Sequence, residues 1–276
     1  MNMTVRFTTH PRNMNFSERT SLASNLAFQH LTPFWNVETN RWPTLEELGQ
    51  GSVVKFVNPQ ESKGGFSDHY EVRIAERNEV ETRMECWHDF CNALIWRGYP
   101  KSKQALNKRY YQALCQRKET WSRSSRRSTE EDLCTVINEN AVLIAYEDET
   151  DKELIQSFLW HDFFWKRRLG LKDRMELFFW GHALLEKSRH PYIGMTGHAI
   201  FIRVRKEFFT SAITCKVDHI DSSLHSILEG KRISSVQDLS PFPILGFPGF
   251  YADAEQESFY ENRWYFRTGR KGKKLR

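Results

Sequence analysis

"LCTVINENAVLIAYE", residues 133–147, is the stretch on which the fold turns. Two apolar runs flank Asn138-Glu139-Asn140, and a short asparagine-bearing break between such runs is a hairpin signal. The spacing predicts two short strands joined at that turn. Working outward, "SVVKFVNP" (52–59) and "YEVRIAERNEV" (70–80) alternate apolar and polar residues, the period of half-buried strands, with a turn in "QESKGGFSD" between them. "GHAIFIRVR" (197–205) alternates in the same way. Segments near residues 52, 71, 134 and 200 are therefore expected to form one small antiparallel sheet.

The rest of the chain reads mainly as helix. "SERTSLASNLAFQHL" (17–31) starts at a plausible N-cap, Ser17, and irregular aromatic loop follows it. In "WHDFCNALIWRGYPKSKQALNKRYYQAL" (87–114), Trp87, Phe90, Leu94 and Ile95 share one helical face, Gly98 and Pro100 end that helix, and a second begins. "DKELIQSFLWHDFFWKRR" (151–168) and "DRMELFFWGHALLEK" (173–187) should be helical too, the latter with Met175, Phe178, Phe179 and Leu185 on one stripe. "VDHIDSSLHSILEG" (217–230) offers Asp218 or Asp221 as N-cap and Gly230 as stop. The expected class is α+β: a mainly helical single domain over 17–267 with a small antiparallel sheet, a flexible arm at 1–16 and a basic tail at 268–276.

At 276 residues, with 39% hydrophobic and 14% aromatic content, the chain can bury a large core and is no disulfide-stapled mini-protein. Its five cysteines are odd in number and contain no CxxC pair, which suggests neither a disulfide framework nor a cysteine zinc site and fits a reducing compartment. The first twenty residues lack the apolar core of a signal peptide, and no apolar run approaches the ~20 residues of a membrane helix. A soluble cytoplasmic protein without membrane contact is the expectation. The net charge of +5 permits acidic partners without requiring them.

Polar groups set into apolar runs mark the candidate chemistry. His182 and Glu186 lie four residues apart, on one face of the expected helix, amid Leu and Phe, and Gly181 suggests a close backbone approach there. His88 and Asn92 share a second face, from which Asp89 points away. If the two histidine helices met, with Glu139 or His198 nearby, His182, Glu186 and His88 would offer nitrogen and oxygen ligands to a divalent metal, or a base with its orienting carboxylate, acting on a small molecule. A hydrogen-bonded His/Glu pair locking two core helices is the commoner outcome of such patterns. Cys91, one turn from His88, and the repeated dipeptide His161-Asp162 read as a buried inert thiol and as core-edge polarity. The rival class is nucleic-acid binding through Lys108, Arg109, Arg123, Arg126 and Arg127 with interleaved tyrosines, and through Lys271 of the tail. The third is an interaction protein exposing the aromatic segment "PFPILGFPGFY" (241–251).

Three blocks in order, "TRMECWHDFCNALIWRGYPKSKQALN", "FFWGHALLEK" with "HPYIGMTGHA", and "PFPILGFPGFY" ending in "YFR", resemble the signature segments of the bacterial domain-of-unknown-function family 3025, over most of residues 70–267. The chain departs from the family pattern at Asn138, where an aspartate is expected; any acid role there would fall to Glu139. The resemblance implies a soluble bacterial protein, and it carries no reaction or cofactor.

Overall fold

Residues 133–147 do not make a hairpin: they form the end of a helix running directly into a strand. The computed structural model describes residues 22, 24–35, 41–60, 65–118 and 127–269. The expected arm, most of the tail, Arg123, Arg126 and Lys271 lie outside these, as do residues 17–21 and 23 of the first expected helix, whose described end is a 3-10 turn at Gln29–Phe34.

In chain order the elements that frame the molecule are α1 (Leu45–Gly49), β1 (Lys55–Val57), α2 (Tyr70–Arg77), β2 (Glu79–Glu81), α3 (Trp87–Gly98), α4 (Pro100–Lys118), α5 (Thr129–Asn140), β3 (Ala141–Tyr146), α6 (Glu149–Gln156), β4 (Met175–Phe179), α7 (His182–Lys187), β5 (Thr196–Arg203), α8 (Ile213–Glu229) and β6 (Ser240–Pro243). The fold is α+β and mainly helical. Its strands form a parallel pair, β1–β2, and a separate four-stranded sheet in the order β4-β3-β5-β6. That sheet is mixed: β3 runs parallel to β5, while β3–β4 and β5–β6 are antiparallel.

Local chemistry explains where the strand pattern misled. Helix α5 starts where the Ser128 side chain accepts from the Glu131 N–H and where Glu130, Glu131 and Asp132 face the positive end of the helix dipole. Leu133, Cys134 and Ile137 are its buried stripe. It ends where Ala141-Val142-Leu143-Ile144 turns extended, and all six residues of β3 are buried because both faces of the central strand are covered. The alternation of 70–77 belongs to a capped amphipathic helix, α2, with Val72 and Ile74 inside; only 79–81 of that segment is strand. The expected helix over 173–187 is a strand, β4, and then a short helix, α7. The run 151–168 likewise breaks after Gln156 and resumes as a π-turn at Asp162–Lys166.

The two helices read from residues 87–114 are present as α3 and α4. Pro100 opens α4, and the backbone N–H groups of Lys101 and Ser102 donate to the Asp221 carboxylate at 3.0 and 2.8 Å. Asp221 thus caps a neighbouring helix. Its own, α8, begins earlier than expected, after Ala212, and stops at Gly230 as read. Buried residues from both sheet faces and all the larger helices join in one apolar cluster, in which Phe178 and Phe179 are fully buried, each worth roughly 2–3 kcal/mol against exposure. The segment 241–251, expected as an exposed patch, instead buries Phe242, Ile244, Leu245 and Phe247. Among the described residues no helix is long and apolar enough to cross a membrane.

Candidate functional site

The chain brings His88 of α3, Glu139 at the end of α5 and His182 at the start of α7 together where β3 and β4 meet their helices. Gly181 makes this possible. A Cβ there would sit 2.5 Å from the backbone nitrogens of Asn140 and Ala141, so only glycine lets the β4–α7 corner close on the α5–β3 corner. It stands before the helix as N-cap, not within it.

The two imidazoles face each other, with His88 Nε2 2.9 Å from His182 Nε2. Glu139 Oε1 lies 3.4 Å from His182 Nε2, and Oε2 lies 3.9 Å from His88 Nε2. One ligand atom from each of these three residues falls within 4.8 Å of the others. Glu186 stands behind: its carboxylate is 3.0 Å from Nδ1 of His88. The spacing that placed His182 and Glu186 on one helix face was correct, but they do not pair with each other, and Glu186 is one-third exposed (33%) rather than buried.

Burial sets the two rings apart chemically. The hydrogen bond to Glu186 raises the His88 pKa above its ordinary value, against a smaller opposing effect of burial, and Glu139 adds to the rise. His182 is driven well below its ordinary value, first by burial and then by the nearby positive charge of Lys103. Of the two rings His88 is therefore the one that favours a proton, with Nδ1 beside the Glu186 carboxylate and Nε2 facing His182. Glu139 is pushed upward by burial, and His88 and Lys103 pull it part of the way back.

Lys103 is the functional-looking residue the sequence did not reveal. Its ammonium is buried, 5.2 Å from the ring centroids of both Trp96 and Trp180, and it donates to Asn92 Oδ1 at 2.9 Å and Asn138 Oδ1 at 2.6 Å. Neutral partners do not compensate a buried charge, and desolvation brings its pKa down to about 8. Nothing in "PKSKQALN" separates this lysine from its outward neighbours; only the approach of α5 does. Asn92 turns its other end to the Tyr70 hydroxyl at 2.9 Å. Tyr70, Asn92 and Asn138 line, with the two histidines and Glu139, a cleft of about 510 Å³ that His69, Tyr110, Arg127 and Thr135 also line, and Lys103 stands behind the two asparagines.

Two expected neighbours behave differently. His198 does not join: Gly197 faces Leu184 of α7, so alternation turns His198 to the opposite face of β5. Asp89, expected to point away, instead lines the cleft together with Arg83, which it clamps through both carboxylate oxygens at 2.9 Å. Cys91 is fully buried, and burial raises its thiol pKa, so it is inert. The basic residues of α4 are largely engaged. Lys108 pairs with Glu229 at 3.1 Å, and Arg109 is buried against Glu130 and the Ile233 carbonyl. Arg127 bonds the hydroxyls of Tyr110 and Thr135.

No curated protein and no solved structure matches the chain. A family model does, over residues 54–270, and this span holds the histidine pair, both glutamates and Lys103. The chain belongs to the family described as proteins of unknown function, DUF3025.

Proposed function

We propose that the cleft is the active site of a divalent-metal-dependent enzyme acting by hydrolysis on a small polar molecule. His88, His182 and Glu139 are the ligands, and Glu186 orients His88. The observation that carries this reading is the opposition of the two Nε2 atoms at 2.9 Å beside a carboxylate, with the far nitrogen of His88 held by a second carboxylate. A ligating histidine whose other nitrogen is fixed by a carboxylate is the recurrent outer-shell arrangement of metal sites. An ion about 2.1 Å from each nitrogen would subtend roughly 90° between them, the angle of two adjacent positions on an octahedron. Two histidines and one carboxylate on one side leave the remaining positions to water and substrate. Such an ion lowers the pKa of bound water and polarises a carbonyl or phosphoryl oxygen. The cleft walls offer Tyr110, Thr135 and Arg127 as substrate contacts.

The hydrogen bond between the rings favours a second reading, an ion-free acid/base pair in which His88 is the acid and His182 the base. Metal content of the purified, untagged protein by mass spectrometry separates the two. Near-stoichiometric divalent metal, lost in a folded His182→Gln variant, is the expected result. Absence of metal after incubation with zinc, manganese and iron(II) salts rejects the metal reading and leaves the acid/base pair.

A further inference from the structure

A second cavity lies at the other end of the central sheet. It measures about 1060 Å³ and is lined by Glu147, Arg203, Arg205, Lys206, Lys216, His219 and their neighbours. It opens beyond the carboxyl ends of the parallel strands β3 and β5, whereas the histidine cluster sits at their amino ends. The paired stretch from Ala141↔His198 to Tyr146↔Arg203 separates the two by five residue steps, roughly 16 Å.

We propose that this cavity is a second binding site, for a small molecule bearing a phosphoryl group. Three observations converge. The walls carry Arg203, Arg205, Lys206 and Lys216 against two carboxylates, Glu147 and Glu207. Arg203 and Lys216 have acidic partners, Glu149 at 3.5 Å and Glu176 at 2.8 Å, whereas Arg205 and Lys206 are exposed and make no ion pair among the described residues. Helix α8 also begins on this wall. Ala212 gives it no side-chain cap and its first turn holds no acidic residue, so the free N–H groups and the dipole of a 17-residue helix stand uncompensated beside those cations. A guanidinium fork, an ammonium and helix N–H donors together match a phosphoryl group's oxygens. Phe208, with the His219 ring 5.6 Å away, supplies an aromatic wall for the rest of the ligand. The volume is that of a small-molecule site.

Cys215, exposed on the same wall, provides the readout. The full-length protein, in EDTA so that the histidine site cannot hold the probe through a metal, is alkylated with iodoacetamide, and the rate at Cys215 is followed by peptide mass spectrometry. Cys86 and Cys115, outside the cavity, are internal references. Pyrophosphate should slow alkylation of Cys215 at least fivefold relative to sodium chloride at equal ionic strength. The doubly substituted R205E/K206E protein should lose that protection, and His182→Gln should keep it. Equal rates with pyrophosphate and chloride overturn the proposal. So does protection that survives R205E/K206E, or protection given by an oligonucleotide but not by pyrophosphate.

Discussion

Two buried histidines lie either side of the end of strand β4 and make different use of burial. His30 is held at both nitrogens: the Phe179 N–H donates to Nε2 at 3.1 Å, and Nδ1 lies 2.7 Å from the Tyr99 hydroxyl. Burial takes its pKa down to about 3, and the ring is a neutral clamp between the segment before α1 and the sheet. His182, three residues beyond Phe179, is equally enclosed, but its Nε2 meets another imidazole and a carboxylate instead of a backbone group. A core histidine satisfies its two nitrogens within the fold. One that turns a nitrogen toward a second ring and a carboxylate at the wall of a cleft leaves that nitrogen to a proton or an ion, and groups perturbed in this way concentrate at sites of chemistry.

Substitution separates the two histidines most strongly. His182→Gln should lower divalent-metal affinity at least a hundredfold while leaving the melting temperature within a few degrees of the parent. His30→Gln should leave metal binding unchanged and cost about 2–4 kcal/mol, because the Phe179 N–H and the Tyr99 hydroxyl lose a well-placed partner inside the core. Metal titration beside urea unfolding of the three proteins reads both effects, and a His182 variant that unfolds as readily as the His30 variant would falsify the distinction.

Acid acts next. His30 is neutral when folded, whereas an unfolded imidazole protonates near its ordinary value of 6.5, so below that pH the unfolded chain binds more protons. Its contribution is therefore complete above pH 6.5 and is lost as pH falls toward about 3. His182, also lowered, works in the same direction. Unfolding free energy should decline between pH 6.5 and 5, before most carboxylates titrate, and His30→Gln should flatten that slope. His88, whose pKa is raised, acts with the opposite sign in both proteins, so a His30→Gln slope equal to the parent's would show that the His30 ring is not held neutral.

Glu186 acts on the paired rings from behind His88. Removing its charge with Glu186→Gln keeps a hydrogen-bonding oxygen near His88 but weakens the ring as a donor, and an outer-shell carboxylate of this kind is worth roughly 10–100-fold in metal affinity. Affinity should therefore fall less than on loss of His182. If Glu186→Gln binds metal as tightly as the parent, the carboxylate is a surface partner only.

How much of this was legible follows from periodicity and its failure. Helix α4 and strand β5 are readable because each has one buried and one wetter face, α3 because Gly98 and Pro100 mark its end, and the polar interruptions at His88, His182 and Glu186 because such groups are conspicuous among Leu, Phe and Trp. Strands β3 and β4 are not: covered on both sides, "AVLIAY" and "MELFF" have no alternation, and a short apolar run carries no period that separates strand from helix. The misreading of 133–140 as strand moved Glu139 from a helix end to a turn, yet kept it beside Ala141, which is why it could be named as a neighbour. Lys103 and Tyr70 enter the site through tertiary contact alone.

The smallest expected effect tests the weakest kind of sequence signal. His161-Asp162 repeats His88-Asp89, and His161 also meets a carboxylate, with Nε2 2.8 Å from Glu257 Oε1. The distances are alike, but the surroundings differ: the His161 and Glu257 side chains are 38% and 55% exposed, no second ring approaches among the described residues, and Asp162 bonds Lys166 one turn along. An exposed pair of this type contributes about 0–1 kcal/mol, because water and salt screen it and both chains must be ordered to form it. His161→Gln should accordingly shift unfolding free energy by no more than about 0.5 kcal/mol and leave metal content at the parent level. His88→Gln, the same exchange in the same dipeptide, should abolish metal binding. If instead the His161 variant lost metal, the ion would not be at the paired rings, and it would be enclosure between α3, α5 and α7 that had been wrongly credited with making a histidine reactive.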